Sequence, residues 1–206
     1  MTKLVHDGVY TLITADEPIS QGDILKNCPY LFQPTGNYRV NNDQTVDLAS
    51  IEAKVGRIDY SMVLTNSCDL DNDGKVKYIL LCPLVPLYTL LRIKRDNYYY
   101  NHLKDDLDED SFIERLQGYE QHRYHLLPLS NVEGNNFETE PVFLDFGNIF
   151  VLRVNFVRRF ALNDKSNEKR LTIYFSPDLT NPSDTLRLVI TRYTNFLKRN
   201  IGIPGI

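Results

Sequence analysis

Residues 60–87 read YSMVLTNSCDLDNDGKVKYILLCPLVPL and carry the strongest secondary-structure signals of the sequence. It contains two apolar, β-prone runs, residues 62–65 and 76–82, on either side of an Asp-Asn-Asp-Gly sequence at residues 71–74. Those residue types accept a positive φ or hydrogen-bond their own backbone, as a tight turn requires. Two such runs about such a turn predict a β-hairpin. Because the polar–apolar alternation fails at residues 79–81, we expect the base of the hairpin to be covered on both faces.

An acidic pattern in the same turn matches the start of a calcium-binding loop. Asp69, Asp71 and Asp73 alternate with other residues, and Gly74 follows them. The twelfth loop position, which needs a bidentate glutamate, is Leu80, and no helical pattern flanks the stretch. The pattern therefore favours a plain acidic turn over a calcium site.

Composition is typical of a globular protein of a reducing compartment. The chain has 206 residues, of which 42% are hydrophobic, and this fits one domain with a substantial core. A net charge of −4 argues against binding nucleic acid over the whole surface, although it is compatible with a local basic patch. Three cysteines without regular spacing indicate no disulfide framework. No segment approaches the ~20 apolar residues of a membrane helix, and the start lacks a signal-peptide core, so we expect a cytoplasmic protein without membrane contact.

Further β-prone runs precede and follow the predicted hairpin. The runs before it are residues 9–14, 28–32 and 51–58, and those after it are residues 142–146, 150–156 and 171–175. Alternating apolar and polar residues favour a strand throughout residues 150–156. The polar segment that follows, residues 163–170, then suggests a second hairpin with residues 171–175.

Two segments have the pattern of helices. A capping box, Ser111 with Glu114, predicts a helix within residues 103–121. Pro182 and an apolar stripe at helical spacing predict another over residues 182–200. Many short strands with two helices indicate a β-rich α+β fold. We expect a single domain, residues 1–206, with a barrel core at about residues 8–90, added strands at about residues 142–175 and the two helices as elaborations.

Three short motifs in the first half resemble those of a known family. They are Gln21-Gly22-Asp23-Ile24-Leu25, Met62-Val63-Leu64-Thr65 and Leu80-Leu81-Cys82-Pro83-Leu84. Over about residues 19–87 the chain is thereby similar to the MazF/PemK toxins. The resemblance implies an SH3-like small barrel that binds single-stranded RNA, cleaves it without metal, pairs as a homodimer and has an antitoxin as partner. The whole chain also looks like a group of uncharacterised bacterial proteins, a resemblance that implies no activity.

The sequence departs from this family at the position of one active-site residue. The family carries an arginine just before the central strand, and Arg57 lies a few residues before the matching place. It also carries threonine or serine after the following strand, where this chain has Cys82-Pro83-Leu84. Metal-free RNA cleavage needs a proton acceptor for the 2′-hydroxyl and a cation for the phosphate. The resemblance therefore favours a non-catalytic or degenerate member, with residual endoribonuclease activity through Arg57 as an alternative.

Cys68 is a candidate nucleophile because it follows a buried strand, where side chains emerge into clefts. His125, or His122, would act as its base and Asp145 would orient the imidazole. The alternative is a structural cysteine, since free cysteines are usually buried as small hydrophobic residues. Zinc binding through Cys68, Asp69 and the two histidines matches no standard ligand spacing. We expect no metal and no cofactor.

A second candidate site interleaves cations with aromatic rings. Arg92, Lys94 and Arg95 lie beside Tyr98 and the two tyrosines after it. Single-stranded nucleic acid is bound by such mixtures, because cations meet phosphates and rings stack on bases. Further basic residues that can extend this site are Arg153, Arg158 and Arg159. The alternative is a solvated surface with packed tyrosines.

These patterns lead to one expected function and one alternative. We expect a binding module of a bacterial toxin–antitoxin or phage-defence system that engages RNA or a protein partner, either an antitoxin or a subunit of a defence complex. A homodimer is compatible with this expectation. The alternative is an enzyme that uses Cys68 with His125 and Asp145.

Overall fold

The computed structural model describes residues 9–32, 41–43, 54–71, 76–89, 123–127, 129, 132, 141–173 and 185–200. The strands are β1 (Tyr10–Thr14), β2 (Asp23–Phe32), β3 (Lys54–Val63), β4 (Tyr78–Pro86), β5 (Tyr124–Leu127), β6 (Val142–Asp145), β7 (Phe150–Arg153) and β8 (Lys169–Ile173). The helices are α1 (Ser67–Leu70), α2 (Val154–Asn163) and α3 (Thr185–Asn200), with 3-10 turns at Phe146–Asn148 and Lys165–Asn167. Residues 87–89 are also helical.

The described strands form one antiparallel sheet with the order β1-β8-β2-β3-β4-β6-β5. The remaining strand, β7, pairs with the first half of β4, and β6 pairs with its second half. Within the described ranges, β1 and β5 stand at the two ends of this order, so the sheet is open. The predicted β-rich α+β class is confirmed. Closure into an SH3-like barrel stays a prediction.

The predicted pairing of the two central runs is confirmed. Met62 lies opposite Cys82 and Val63 opposite Leu81 in the antiparallel pair of β3 and β4. The connection between them is longer than a two-residue turn, because α1 follows the first strand. Of the predicted tight turn at residues 71–74, residues 72–74 lie outside the described part of the chain.

Neighbouring residues of the central strands enter two separate cores. Ile24, Met62 and Cys82 belong to a core that includes Leu186 and Val189 of α3. Their sequence neighbours Leu25, Val63 and Leu81 belong to a second core. That core also contains Val154, Val157 and Ala161 of α2. Successive strand residues point to opposite faces. The sheet is therefore covered on both faces, as the continuous apolar run predicted.

The Gly-Asp sequence of the first motif has a structural role. Gly22 adopts a φ of 93°, a region that favours glycine, and its N–H donates to the Val63 carbonyl over 2.9 Å. Asp23 is buried and accepts from Nε of the buried Arg170 over 3.0 Å. The rest of the Arg170 guanidinium donates to the carbonyl oxygens of Thr14, Glu17 and Pro18. This ion pair ties β2 to β8 and to the turn after β1.

Two sequence predictions about the second half were wrong. The strand predicted at residues 150–156 ends at Arg153, and α2 begins at Val154. The buried residues of α2 recur at helical spacing, so their burial follows the helical period rather than the alternation. The hairpin predicted between residues 150–156 and 171–175 does not form, because β8 pairs with β1 and β2 instead.

The C-terminal helix is confirmed over Thr185–Asn200. Its apolar stripe packs on the sheet and on the Phe146–Asn148 turn, with the Phe146 ring centroid 5.7 Å from that of Tyr193 and 6.2 Å from that of Phe196. The predicted helix at residues 103–121 lies outside the described residues. No helix in the described ranges has both the length and the apolar character needed to cross a bilayer.

Candidate nucleic-acid interface

A cleft of about 740 Å³ opens where β4 begins, β7 ends and α2 begins. Tyr78 lies opposite Arg153 in the β4–β7 pair, and the N–H of Val154 donates to the Lys77 carbonyl over 3.1 Å. Strand pairing therefore leads directly into the helix. The lining residues are Leu70, Val76, Lys77, Tyr78, Arg153, Val154, Asn155, Phe156, Arg158 and Arg159.

The strand alternation explains why Tyr78 and Arg153, which line the cleft at this end of the sheet, are exposed. Ile79 of β4 is buried in the α2-side core, and its partner Leu152 packs against that core. Tyr78 and Arg153, each one residue away, therefore project from the opposite face. Both side chains are exposed. The register of one strand pair thus places an aromatic ring and a cation side by side.

The cleft is strongly cationic although the chain is acidic overall. Its lining includes Lys77, Arg153, Arg158 and Arg159, and no carboxylate is among the described lining residues. Within the ranges that the structure describes, Lys77, Arg153 and Arg159 form no ion pair, and all three are exposed. A concave wall of one charge sign raises the local concentration of counter-charged ligand. This surface is therefore suited to an anionic partner.

Two large aromatic rings are left open at the same cleft. Tyr78 is 52% exposed and Phe156 is 45% exposed. The Phe156 ring is stacked on Phe160, with centroids 6.2 Å apart and planes inclined by 9°. A ring that is already held in place loses little freedom when a further flat group stacks on it. Rings beside cations are the combination that binds bases and phosphates of single strands.

The start of α2 adds positive potential to the cleft. This helix has ten residues, and its cap residue, Arg153, makes no side-chain capping hydrogen bond. The first N–H groups of a helix have no acceptor within the helix, and the helix dipole makes this end positive. Asn155 and Phe156, in this first turn, line the cleft. The backbone therefore contributes to the same attraction as the side chains.

The short helix α1 forms part of the cleft wall. Leu70, its last residue, is buried and lines the cleft. The Arg158 guanidinium donates through Nη2 to the Leu70 carbonyl oxygen over 2.6 Å. At the other end of α1, the Asn66 side chain accepts from the Cys68 N–H over 3.0 Å. The wall is thus fixed at both ends by polar contacts.

Cys68 is exposed on α1, unlike the other two cysteines, which are buried. The contacts of α1 include hydrogen bonds with Gln21, Asn66 and Arg158. His125 lies on β5 and faces Arg192 of α3. Cys68 therefore lies on the exposed helix α1 and His125 in a buried part of the sheet, and their pairing as nucleophile and base stays a prediction.

His125 is buried and has no partner for its Nδ1 within the described residues. Burial lowers the pKa of this imidazole to about 4, and the nearby Arg192 charge acts in the same direction. The side chain is therefore neutral at physiological pH. Its location between β5 and α3 gives it a role in the core rather than at the cleft.

Asp145 is bound by other partners than the predicted histidine. Arg123 donates to it from Nε over 2.6 Å and from Nη2 over 2.8 Å, and Asn148 donates through Nδ2 over 2.7 Å. In the β5–β6 pair Asp145 lies opposite Tyr124, whereas His125 lies opposite Leu144. The two side chains consequently point to opposite faces of the sheet. Asp145 acts as a tie between β5 and the turn after β6.

Arg57 and the predicted cation–tyrosine cluster lie elsewhere. Arg57 is exposed on β3 opposite Pro29, and its charge lowers the pKa of Asp164, secondary to the hydrogen bonds from Ser166. Asp164 follows the last residue of α2, about 15 Å along the helix from the cleft end. The predicted nucleic-acid-binding residues Arg92, Lys94, Arg95 and Tyr98, like His122, lie outside the described residues.

The arginines that the sequence offered only as an extension of that cluster are central to the described cleft. Arg153, Arg158 and Arg159 all line it. Lys77, Tyr78 and Phe156 were not predicted as site residues from the sequence. The missed signal is the point at which the strand pattern changes to a helical one, because a helix start after a strand creates both the concavity and N–H groups without an acceptor inside the helix.

The described residues contain no group of three or more His, Cys, Asp or Glu that could hold a metal ion. The chain also has no match to a family model, to a curated protein or to a solved structure.

Proposed function

We propose that this protein is a binding module for single-stranded RNA, and that the RNA lies in the cleft between β4, β7 and α2. The observation on which the proposal rests is the cleft lining: four cations, two open aromatic rings and a helix start, with no carboxylate among the described residues. Cations neutralise phosphates without reading sequence, and the rings stack on unpaired bases. Duplex RNA has its bases stacked on each other, so it cannot use the rings.

The acidic character of the whole chain supports a local interface. With a net charge of −4, the protein repels a polyanion over most of its surface. Association with RNA then depends on Lys77, Arg153 and Arg159, the exposed cations of the cleft. We therefore expect a small binding site with a modest salt dependence rather than extended coating of the strand.

The biological setting follows from the family resemblance and is part of the proposal. The protein is a non-catalytic or degenerate MazF/PemK-like module of a bacterial toxin–antitoxin or phage-defence system, with an SH3-like barrel as its core. A protein partner, such as an antitoxin or a defence subunit, competes for the same cleft if it presents acidic and aromatic side chains. We do not propose the Cys68 enzyme, because Asp145 is held by Arg123 and His125 faces α3.

A fluorescence anisotropy titration with labelled oligouridine tests the function. The wild-type protein is expected to bind the single strand more tightly than an RNA duplex of equal length. Between about 50 and 200 mM salt, three phosphate contacts predict a slope of about −2 in log K against log salt. RNA is expected to remain intact, since Arg57 lies at the far end of α2 from the cleft. Equal affinity for duplex and single strand, or no binding, would refute the proposal.

A further inference from the structure

Arg158 lies between the cleft and α1 and contacts both. It lines the cleft with Leu70, and its Nη2 donates to the Leu70 carbonyl oxygen over 2.6 Å. A carbonyl at a helix C-terminus carries partial negative charge, so a guanidinium is a favourable partner there. Arg158 is only half-exposed, whereas Leu70 is buried. At least part of the charge of this arginine is therefore engaged before any ligand arrives.

The helix that Arg158 caps cannot persist without such contacts. α1 has four residues, which is far below the length at which an isolated helix is stable in water. The contacts that hold it include the burial of Leu70, the Asn66 cap, Ser67 Oγ accepting from the Gln21 N–H over 3.0 Å, and the Arg158 contact. Loss of the Arg158 contact therefore exposes one end of a marginal helix.

The next residue, Arg159, offers an internal comparison. It also lines the cleft, but it is exposed and makes no ion pair within the described part of the chain. Adjacent helix residues point about 100° apart, so the two guanidinium groups leave α2 in different directions. One arginine faces α1 and the other is available to ligand.

We propose that Arg158 is a positioning residue of the cleft, whereas Lys77, Arg153 and Arg159 are the cations that meet the ligand phosphates. Arg158 holds α1 in place as the wall that Leu70 presents. The claim that Arg158 positions α1 rests on the Arg158–Leu70 contact alone. The claim that the other three cations meet phosphates rests on the proposed RNA-binding function. Because coupling between sites is reciprocal, RNA bound against this wall stabilises α1.

Hydrogen exchange of the α1 amides tests, without any RNA, whether Arg158 holds α1 in place. The reporter amides are those of Asp69, Leu70 and Asp71, which donate to the carbonyl oxygens of Asn66 and Ser67. Arg158→Gln is expected to speed their exchange by about tenfold or more, since a charge-assisted hydrogen bond is lost. Arg159→Gln is the matched control and leaves exchange unchanged. Equal exchange in the two variants overturns the inference.

The salt dependence of oligouridine binding tests which cations meet the ligand phosphates. Arg159→Gln is expected to reduce the slope by about 0.7, the value for one phosphate contact on a single strand. Arg158→Gln is expected to weaken binding severalfold at an unchanged slope. If the glutamine variant does not fold, Arg158→Lys keeps the charge and is expected to show the fast α1 exchange with the wild-type slope. A slope loss in Arg158→Gln with normal α1 exchange overturns the assignment.

The proposed RNA binding and the positioning role of Arg158 can be refuted separately. A wild-type protein that binds no oligouridine contradicts the proposed function, and the exchange comparison still decides whether Arg158 holds α1. A protein that binds oligouridine, but whose α1 amides exchange equally in both variants, retains the function and loses the positioning role.

Discussion

Tyr78 of β4 stands directly opposite Arg153 of β7, so an open aromatic ring and an exposed cation lie side by side at the cleft. Cross-strand partners have Cβ atoms about 5 Å apart and project from the same face. Ile79 and Leu152, the next pair along, pack with the core on the opposite face. Neither Tyr78 nor Arg153 can turn inward without moving that pair out of the core. Strand register therefore determines that these two side chains are exposed together at this end of the sheet.

Removing one cleft cation should reduce both RNA affinity and its salt dependence. Arg153→Gln is expected to weaken oligouridine binding severalfold and to reduce the slope of log K against log salt by about 0.7. Lys198→Gln is the control, because Lys198 is exposed near the end of α3 and does not line the cleft. Anisotropy titrations at several salt concentrations measure both quantities. Equal losses in the two variants would indicate that only overall charge matters.

Phe156 should contribute through stacking rather than through stability. Phe156→Ala is expected to cost about 1–3 kcal/mol of RNA binding, the usual value for one stacked base. Leu162→Ala is a matched control on the same helix, since Leu162 is 60% exposed and does not line the cleft. Both changes should alter the free energy of unfolding by less than about 0.5 kcal/mol, because both side chains are on the surface. An unchanged affinity in Phe156→Ala would remove the stacking role.

The buried Arg170–Asp23 pair should be essential for stability. Replacing Arg170 by Met leaves the Asp23 carboxylate buried without its cation, and removing one partner of such a pair costs about 3–5 kcal/mol. Urea unfolding followed by circular dichroism measures this loss. In the double variant with Asp23→Asn, part of the stability is expected to return, since no lone charge remains. A loss below about 1 kcal/mol in Arg170→Met would contradict the structural role of the pair.

His125 should make the fold less stable in mild acid. Its folded-state pKa of about 4 lies below the ordinary value of 6.5 because the imidazole is buried. The unfolded chain therefore binds a proton first, and the stability contributed by His125 is lost as pH falls from about 6.5 towards 4. The loss from this group is at most about 1.4 kcal/mol per pH unit. Urea unfolding at pH 7 and pH 5 should show a smaller pH effect in His125→Gln; an equal effect would contradict the assignment.

The three cysteines should differ in reactivity towards a thiol reagent. Cys68 is exposed, so it should react readily in the native protein. Burial raises the pKa of Cys28 to about 12 and raises that of Cys82 well above the ordinary value of 9.0, so few thiolates form at either. Spectrophotometric titration should therefore show one fast thiol and two that react on unfolding. Fast reaction of all three in the native state would contradict the described core.

The central strand pair could be predicted because its signals are local. An unbroken apolar run at residues 79–82 indicates burial on both faces, and the structure places alternate residues of β4 in two cores. The C-terminal helix could be predicted for the same reason, since its apolar stripe has a helical period.

The α2 boundary could not be predicted from the alternation alone. Residues 150, 152, 154 and 156 are apolar, which suits a strand, but Val154, Val157 and Ala161 also fit one helical face, and that face is the buried one. The pairing of β8 was missed because its partners, β1 and β2, are far away in sequence; the Arg170–Asp23 contact joins β8 to β2. The cleft was missed because it depends on the boundary between β7 and α2, where the helix turns away from the strand.

Photo-crosslinking of RNA to the protein shows directly whether single-stranded RNA lies in the cleft. Oligouridine that carries 4-thiouridine is bound, irradiated and digested, and the crosslinked peptides are identified by mass spectrometry. Crosslinks are expected at Tyr78 and at Phe156, both of which line the cleft. Crosslinks confined to other surfaces, such as the β3 face that carries Arg57, would contradict RNA binding in the cleft.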